Sequence, residues 1–194
     1  MMLLHLVMFV VQGKNKEWLC VQDIQSYLVL CRMFRANFLN TGGGSMGVKI
    51  TGLTKHFTLK DYSKNQIGTL PISEKGLLHA QMFEEFRQWL GRPMDVHAWY
   101  RTTKYNKKIG GSPTSSHLKG VATDWSTTIP ITKDNFIKYA NKWKEICKSH
   151  GVVGEAGLYA WGVHFGSSIT YSKTFYHWDS RSGKQINMPF SDLR

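Results

Sequence analysis

The chain is poor in cysteine and in acidic side chains, and it has no apolar run long enough to cross a bilayer. Only Cys20, Cys31 and Cys147 are present, and no two have CxxC spacing. A cysteine zinc knuckle is therefore not expected. Cys147 falls in a helical pattern beside Trp143 and Ile146, which suits a buried thiol rather than a nucleophile. The first eleven residues, Met1 to Val11, are the longest apolar stretch near the start. A membrane span needs about 20 such residues. The stretch also lacks the basic flank and small-residue cleavage site of a signal peptide.

Acidic residues number 13 against 25 Lys and Arg, so the formal charge is +12 and the pI is near 9.7. A basic surface attracts polyanions without choosing among nucleic acid, anionic lipid and acidic cell-wall polymer. The cations are scattered, as at Lys104, Lys107, Lys108, Lys119, Lys138, Lys142 and Lys144. There is no arginine-rich run, phosphate-cradling glycine loop or recognised nucleic-acid module. A solvated basic face is the expectation, with no nucleic-acid partner.

Hydrophobic residues make up 42% of the 194 and charged residues 20%, an ordinary globular balance. Gln12 to Asn40 mixes polar and apolar residues and could form one helix. Gly42-Gly43-Gly44-Ser45-Met46 follows. It reads either as a flexible linker or as a translated purine-rich ribosome-binding sequence, with Met46 the true start. The second reading is favoured, which makes residues 1–45 an extension and residues 46–194 the domain. The extension carries four cations (Lys14, Lys16, Arg32, Arg35) against Glu17 and Asp23, so most of the charge belongs to the domain.

Within the domain, Ser73 is a suitable N-cap for a helix from Glu74 to about Leu90, with Leu78, Met82, Phe86 and Trp89 as its apolar stripe. Gly91 and Pro93 stop it. Val96 to Tyr100 suits a strand, and Arg101 to Ser116 reads as a long loop. Such loops in compact domains often carry function. A second helix is expected from Lys133 to Ser149, capped by Thr132 and buried through Phe136, Ala140, Trp143 and Cys147. Strands are expected at Gly157 to Tyr159, Trp161 to Phe165 and Thr174 to Arg181, with the turn between the last two beginning at Gly166. Two helices and a mostly terminal set of strands make an α+β domain.

The chemistry concentrates in Ser116-His117-Leu118-Lys119-Gly120-Val121-Ala122-Thr123-Asp124. An imidazole and a carboxylate lie seven positions apart, and both are ordinary zinc ligands. Gly120 between them lets the chain turn so that both face one point. Alone the pair is a weak signal, because His and Asp at this spacing are common.

The flanks are more specific. They run Trp99-Tyr100-Arg101-Thr102, Asn106, Gly110-Gly111-Ser112, then the motif itself. This resembles the M15 family of zinc D-alanyl-D-alanine peptidases and related phage endolysins. Its pattern is a Tyr-Arg pair, a Gly-Gly loop and Ser-x-His-x-x-Gly-x-Ala-x-Asp. Leu53 to Leu59 looks like the usual start of that domain, and the resemblance runs from about residue 53 to 183. It implies a hedgehog/DD-peptidase-like fold, a small antiparallel sheet with flanking helices. It also implies zinc held by His117, Asp124 and one later histidine. His164 follows a Gly-x-Tyr by five residues. His177 lies in Phe175-Tyr176-His177-Trp178-Asp179-Ser180-Arg181, similar to the family's Phe-x-His-x-Asp-x-Arg ending. The two compete for the third ligand position, with His177 slightly favoured.

The resemblance further implies that Arg101 binds a carboxylate or carbonyl of the substrate, with Tyr100 and Ser116 beside it, and that Asn106 shapes the loop. Related enzymes place an acidic residue three positions before the last histidine. Thr174 and Trp161 occupy those positions here. Asp179 is then the candidate base or orienting partner. His56, His79, His97 and His150 have no motif. The expected function is zinc-dependent hydrolysis of a peptidoglycan stem or cross-link peptide by a monomer with no membrane span, acting at the bacterial cell wall, as in a phage lysis enzyme. A zinc-stabilised wall-binding module of the same fold, without catalysis, is the alternative.

The Met46 start predicts that mass spectrometry of natively expressed protein finds no abundant peptide from residues 14–40; an abundant one would contradict it.

Overall fold

The computed structural model describes residues 9–12, 18–21, 53–64, 72–167 and 174–193. The chain divides into two compact units, Met1–Lys55 and His56–Arg194. The first contains an antiparallel hairpin of β1 (Phe9–Gln12) and β2 (Trp18–Val21). Gln12 and residues 18–21, placed in the helix expected across Gln12 to Asn40, are strand instead; the rest of that range lies outside the described residues. The expected Met46 start lies outside the described residues.

The second unit is an α+β domain. A short helix α1 (Leu59–Tyr62) opens it, with Thr58 and Asp61 forming a reciprocal capping box. Helix α2 (Glu74–Leu90) starts where Ser73 accepts the Gly76 N–H at 3.0 Å and stops at Gly91, as expected. Its buried face differs from the expected stripe. Ala80, Met82, Phe83 and Phe86 are fully buried, while Trp89 is 39% exposed. The sheet and the helix at 133–149 cover more than one row of this helix, so the face is broader than a single stripe. Helix α4 (Lys133–Ser149) is capped by Thr132 and buries Phe136, Ala140, Trp143 and Cys147 as predicted.

Residues 101–116 are not all loop. Thr102 caps α3 (Thr103–Lys108), and Ser115 caps a 3-10 turn, Ser116–Lys119. Both caps are hydroxyls accepting backbone N–H groups, which a composition-based loop assignment overlooks.

The strands are β3 (Asp95–Ala98), β4 (Ala122–Ser126), β5 (Gly154–Tyr159), β6 (Gly162–Ser167), β7 (Tyr176–Asp179) and β8 (Ile186–Asn187). They form one sheet in the order β3-β4-β6-β5-β7-β8. Every pairing is antiparallel except β5–β7, which is parallel. Gly166 and Ser167, expected in a turn, continue β6.

The two faces of the sheet differ. Thr123, Trp125, Val163 and Phe165 point toward α2 and α4. Trp143 stacks on Phe165 at 5.0 Å between centroids, 2° from parallel, and Phe86 meets Phe165 edge-on at 4.9 Å. Such aromatic burial dominates core energetics. The opposite face carries Asp124, His164, Glu155 and Gly157, because side chains alternate along each strand. Among the described residues no helix is long and apolar enough to cross a membrane.

One polar group is sealed in the aromatic core. The His79 ring is fully buried between Ser167 Oγ (2.7 Å) and Thr123 Oγ1 (2.9 Å). Burial lowers its pKa to about 3. The unfolded chain takes this proton near the ordinary 6.5, whereas the folded domain refuses it until about 3. His79 therefore costs the fold stability as pH falls below about 6.5, by at most about 1.4 kcal/mol per pH unit. Urea unfolding should show the advantage of wild type over His79→Gln shrinking between pH 7 and 4.5; a constant advantage would contradict a neutral, buried His79.

Candidate metal centre

The site is assembled on the polar face of the sheet. Asp124 lies opposite Ala98 on one side and opposite His164 on the other. His164 in turn lies opposite Gly157. His117 arrives from the 3-10 turn just before β4. That turn ends at Gly120, whose φ of 68° is a left-handed conformation open to glycine at little cost. The glycine expected to turn the chain between His117 and Asp124 does so.

His117 is pinned from behind. Its Nδ1 lies 2.6 Å from the Trp99 carbonyl, which can only accept, so Nδ1 carries the proton and Nε2 is bare. The Trp99 indole donates to Gly120 O at 3.1 Å, and the Arg101 N–H to His117 O at 3.0 Å. The bare Nε2 faces Asp124 Oδ1 at 3.1 Å and His164 Nδ1 at 3.2 Å. His164 Nδ1 is 2.8 Å from the same Oδ1. Three donors thus ring one point, all buried. Zinc bonds of about 2.0–2.2 Å in a tetrahedron put neighbouring donors roughly 3.3–3.5 Å apart. The observed triangle needs to open only slightly to accept such an ion. The orienting carbonyl behind His117 is what a ligating imidazole requires. The residues fit the metal that the sequence motif implies.

The electrostatics agree. Burial lowers the His117 pKa, favouring the neutral, ligating form. Burial alone would raise the Asp124 carboxyl, but its contacts with His117 and His164 outweigh that and hold it below the ordinary range. Arg101 also bonds Asp124, through Oδ2, leaving Oδ1 to the imidazoles. Burial opposes a charge on His164, yet hydrogen bonds to Asp124 and Glu155 raise its pKa to about 9. Two buried carboxylates demand positive charge here, and a divalent cation would meet that demand while displacing the proton.

Glu155 is the residue that the sequence did not single out. It is 4% exposed, and its Oε1 accepts the Ser116 hydroxyl at 2.6 Å and the His164 Nε2–H at 3.3 Å. Its one sequence signal is that no other acid lies between Glu145 and Asp179. Its proximity to His164 depends on the β5–β6 register, nine residues apart in the chain.

His177 and Asp179 are placed elsewhere. The expectation that β7 lies beside the His164 strand is corrected: β7 pairs with β5, where His177 lies opposite Ala156. That parity turns His177 to the helix side, with its ring 5.6 Å from Phe190. Asp179 lies opposite Leu158 and pairs with Arg181 at 2.7 Å. His177 and Asp179 share a face, as predicted, but not the one that bears the site. Tyr100 stacks on Tyr62 at 5.6 Å and does not line the cleft. Arg101 and Ser116 do line it. Asn106 shapes the loop, donating to Ser112 O at 2.8 Å. His56, His97 and His150 bond to Glu84, Ser126 and Glu85 respectively, away from the cluster.

The cluster forms the floor of a cleft of about 630 Å³. One wall is the segment from Ile109 to Ser116; the other carries Tyr159, Trp161, Tyr176 and Trp178. The Peptidase M15 family model matches residues 51–160 of this chain. The chain belongs to that family. Family membership supports metal-dependent peptidase activity, and the matched stretch contains His117, Asp124 and Glu155 and ends before His164. No curated protein matches the chain.

The geometry separates the two histidines by experiment. His164→Ala should weaken zinc binding by more than the ~10–100-fold typical of losing an orienting partner, while His177→Ala leaves it unchanged. Competition with a chromogenic chelator measures both; equal losses would contradict the assignment.

Proposed function

We propose that this peptidase uses zinc to hydrolyse a peptide bond in the stem or cross-link peptides of peptidoglycan. The observation that supports this most is the buried His117–Asp124–His164 donor set at the floor of an open cleft, with a carboxylate on its rim. Three protein ligands leave a coordination position free, the arrangement of catalytic rather than structural zinc. When bound, the ion polarises a scissile carbonyl and makes nearby water acidic enough to attack near neutral pH.

The chain's own residues supply the rest. Glu155 is the carboxylate beside the donor set, against His164 Nε2 and lining the cleft, and it takes the role expected of Asp179. Its Oε1 accepts the proton of the attacking water and returns it to the leaving amine. Ser116 holds that oxygen in place through its hydroxyl at 2.6 Å. Arg101 orients Asp124 while lining the cleft, so its guanidinium also stands where a substrate carboxylate or carbonyl would lie. The loop wall presents backbone at Gly110 and Gly111, where an extended peptide can approach closely. The basic surface suits an anionic wall.

Glu155→Gln preserves size and removes the proton acceptor. On zinc-loaded protein digesting muropeptides, followed by chromatography, kcat should drop by about 10²–10⁴-fold with zinc content unchanged. Full activity in the variant would remove Glu155 from the mechanism. Wild-type protein that holds zinc yet cleaves no muropeptide would instead support the wall-binding module.

A further inference from the structure

Trp161 is half exposed, at 50%, although it sits on a cleft wall rather than on a featureless surface. It occupies the β5–β6 turn, and its ring is held in place. Tyr159 stacks on it at 4.9 Å between centroids, 18° from parallel. His97 meets it edge-on at 5.5 Å, and His97 is itself bonded to Ser126 Oγ at 2.7 Å. Tyr159 is fixed in turn, because the Trp178 indole donates to its hydroxyl at 3.1 Å. Trp178 lies against Gly157, where a Cβ would come within 2.3 Å of the indole. A glycine is required there for the wall to exist.

The wall's chemistry is selective. Among the described residues it carries aromatic rings, hydroxyls and the Gln185 amide, but no charged side chain. The cleft's charges lie on the floor and at Arg101. A carboxylate-bearing peptide gains little from such a wall. A pyranose ring matches it, because its C–H face packs on an aromatic face while its hydroxyl and amide edges meet polar groups. Held rings also lose little entropy when a ligand binds.

We propose that Trp161, backed by Tyr159, is a saccharide subsite, so that the substrate is a glycopeptide whose uncharged N-acetylated sugar stacks on Trp161 while its peptide crosses the His–Asp–His centre. The peptide half of this proposal rests on the function proposed above; the sugar half stands alone.

Two measurements test it. In the first, N-acetylglucosamine tetrasaccharide is titrated into the full chain and followed by tryptophan fluorescence and NMR. Wild type should bind saturably, Trp161→Ala about tenfold more weakly, and Trp161→Tyr, which keeps a ring, close to wild type. In the second, cleavage of a disaccharide-peptide is compared with that of the same peptide without sugar. Trp161→Ala should raise KM about tenfold for the glycopeptide only, with kcat unchanged. The proposal is overturned if wild type does not bind the tetrasaccharide, or if the variant affects both substrates equally. Saturable sugar binding by a protein that cleaves neither substrate would uphold the subsite and defeat the peptidase function instead.

Discussion

Asp124 faces His164 where β4 and β6 pair, and its buried carboxylate takes hydrogen bonds from His164 and Arg101 while the bare Nε2 of His117 stands beside it. Leaving such a carboxylate unpaired would cost several kcal/mol. The surrounding architecture supplies its partners in order. The His117 ring is held by Trp99 O, the Trp99 indole by Gly120 O, and the backbone of Arg101 by His117 O. These contacts bind the segment after β3 to the 3-10 turn before β4. The geometry of the donor set is therefore a property of the packed domain rather than of any one side chain.

The sheet serves two purposes because its faces alternate residue by residue. Toward α2 and α4 it presents Trp125, Val163 and Phe165, locked by Trp143 and Phe86. Toward the cleft it presents Asp124, His164, Gly157 and Glu155, with the aromatic side chains of Tyr176 and Trp178 beside them on the same face. The aromatic face provides rigidity, and the polar face can then hold charged groups at short distances without collapsing onto them. His79 lies on the core side, a neutral imidazole whose two hydroxyl partners belong to the same strands that carry the site.

Much of this could be seen in the sequence wherever the signal is local. Helices α2 and α4 have the expected bounds, because Ser73, Thr132 and Gly91 are chemical start and stop signals that act within a few residues. His117, Gly120 and Asp124 were legible for the same reason, since one turn and one strand connect them. Arg101 was recognised as a site residue, although its contact with Asp124 crosses between segments and could not be read from spacing.

The rest depended on strand order. Residue types alone left His164 and His177 in competition, with His177 slightly favoured, and both lie in strands. What separates them is that β7 joins the far side of β5 in parallel, in a register that turns His177 toward Phe190 while Trp178 faces the cleft. A shift of one residue would have reversed this, because side chains alternate with a period of two. Glu155 became part of the site through the same long-range pairing. The sequence by itself determined which helices form and which motif bears the chemistry, since caps, periodicity and a short ligand spacing act locally. Only the tertiary structure brings His164 and Glu155, rather than His177 and Asp179, beside the His117–Asp124 pair, because strand register is set by packing between residues far apart in the chain.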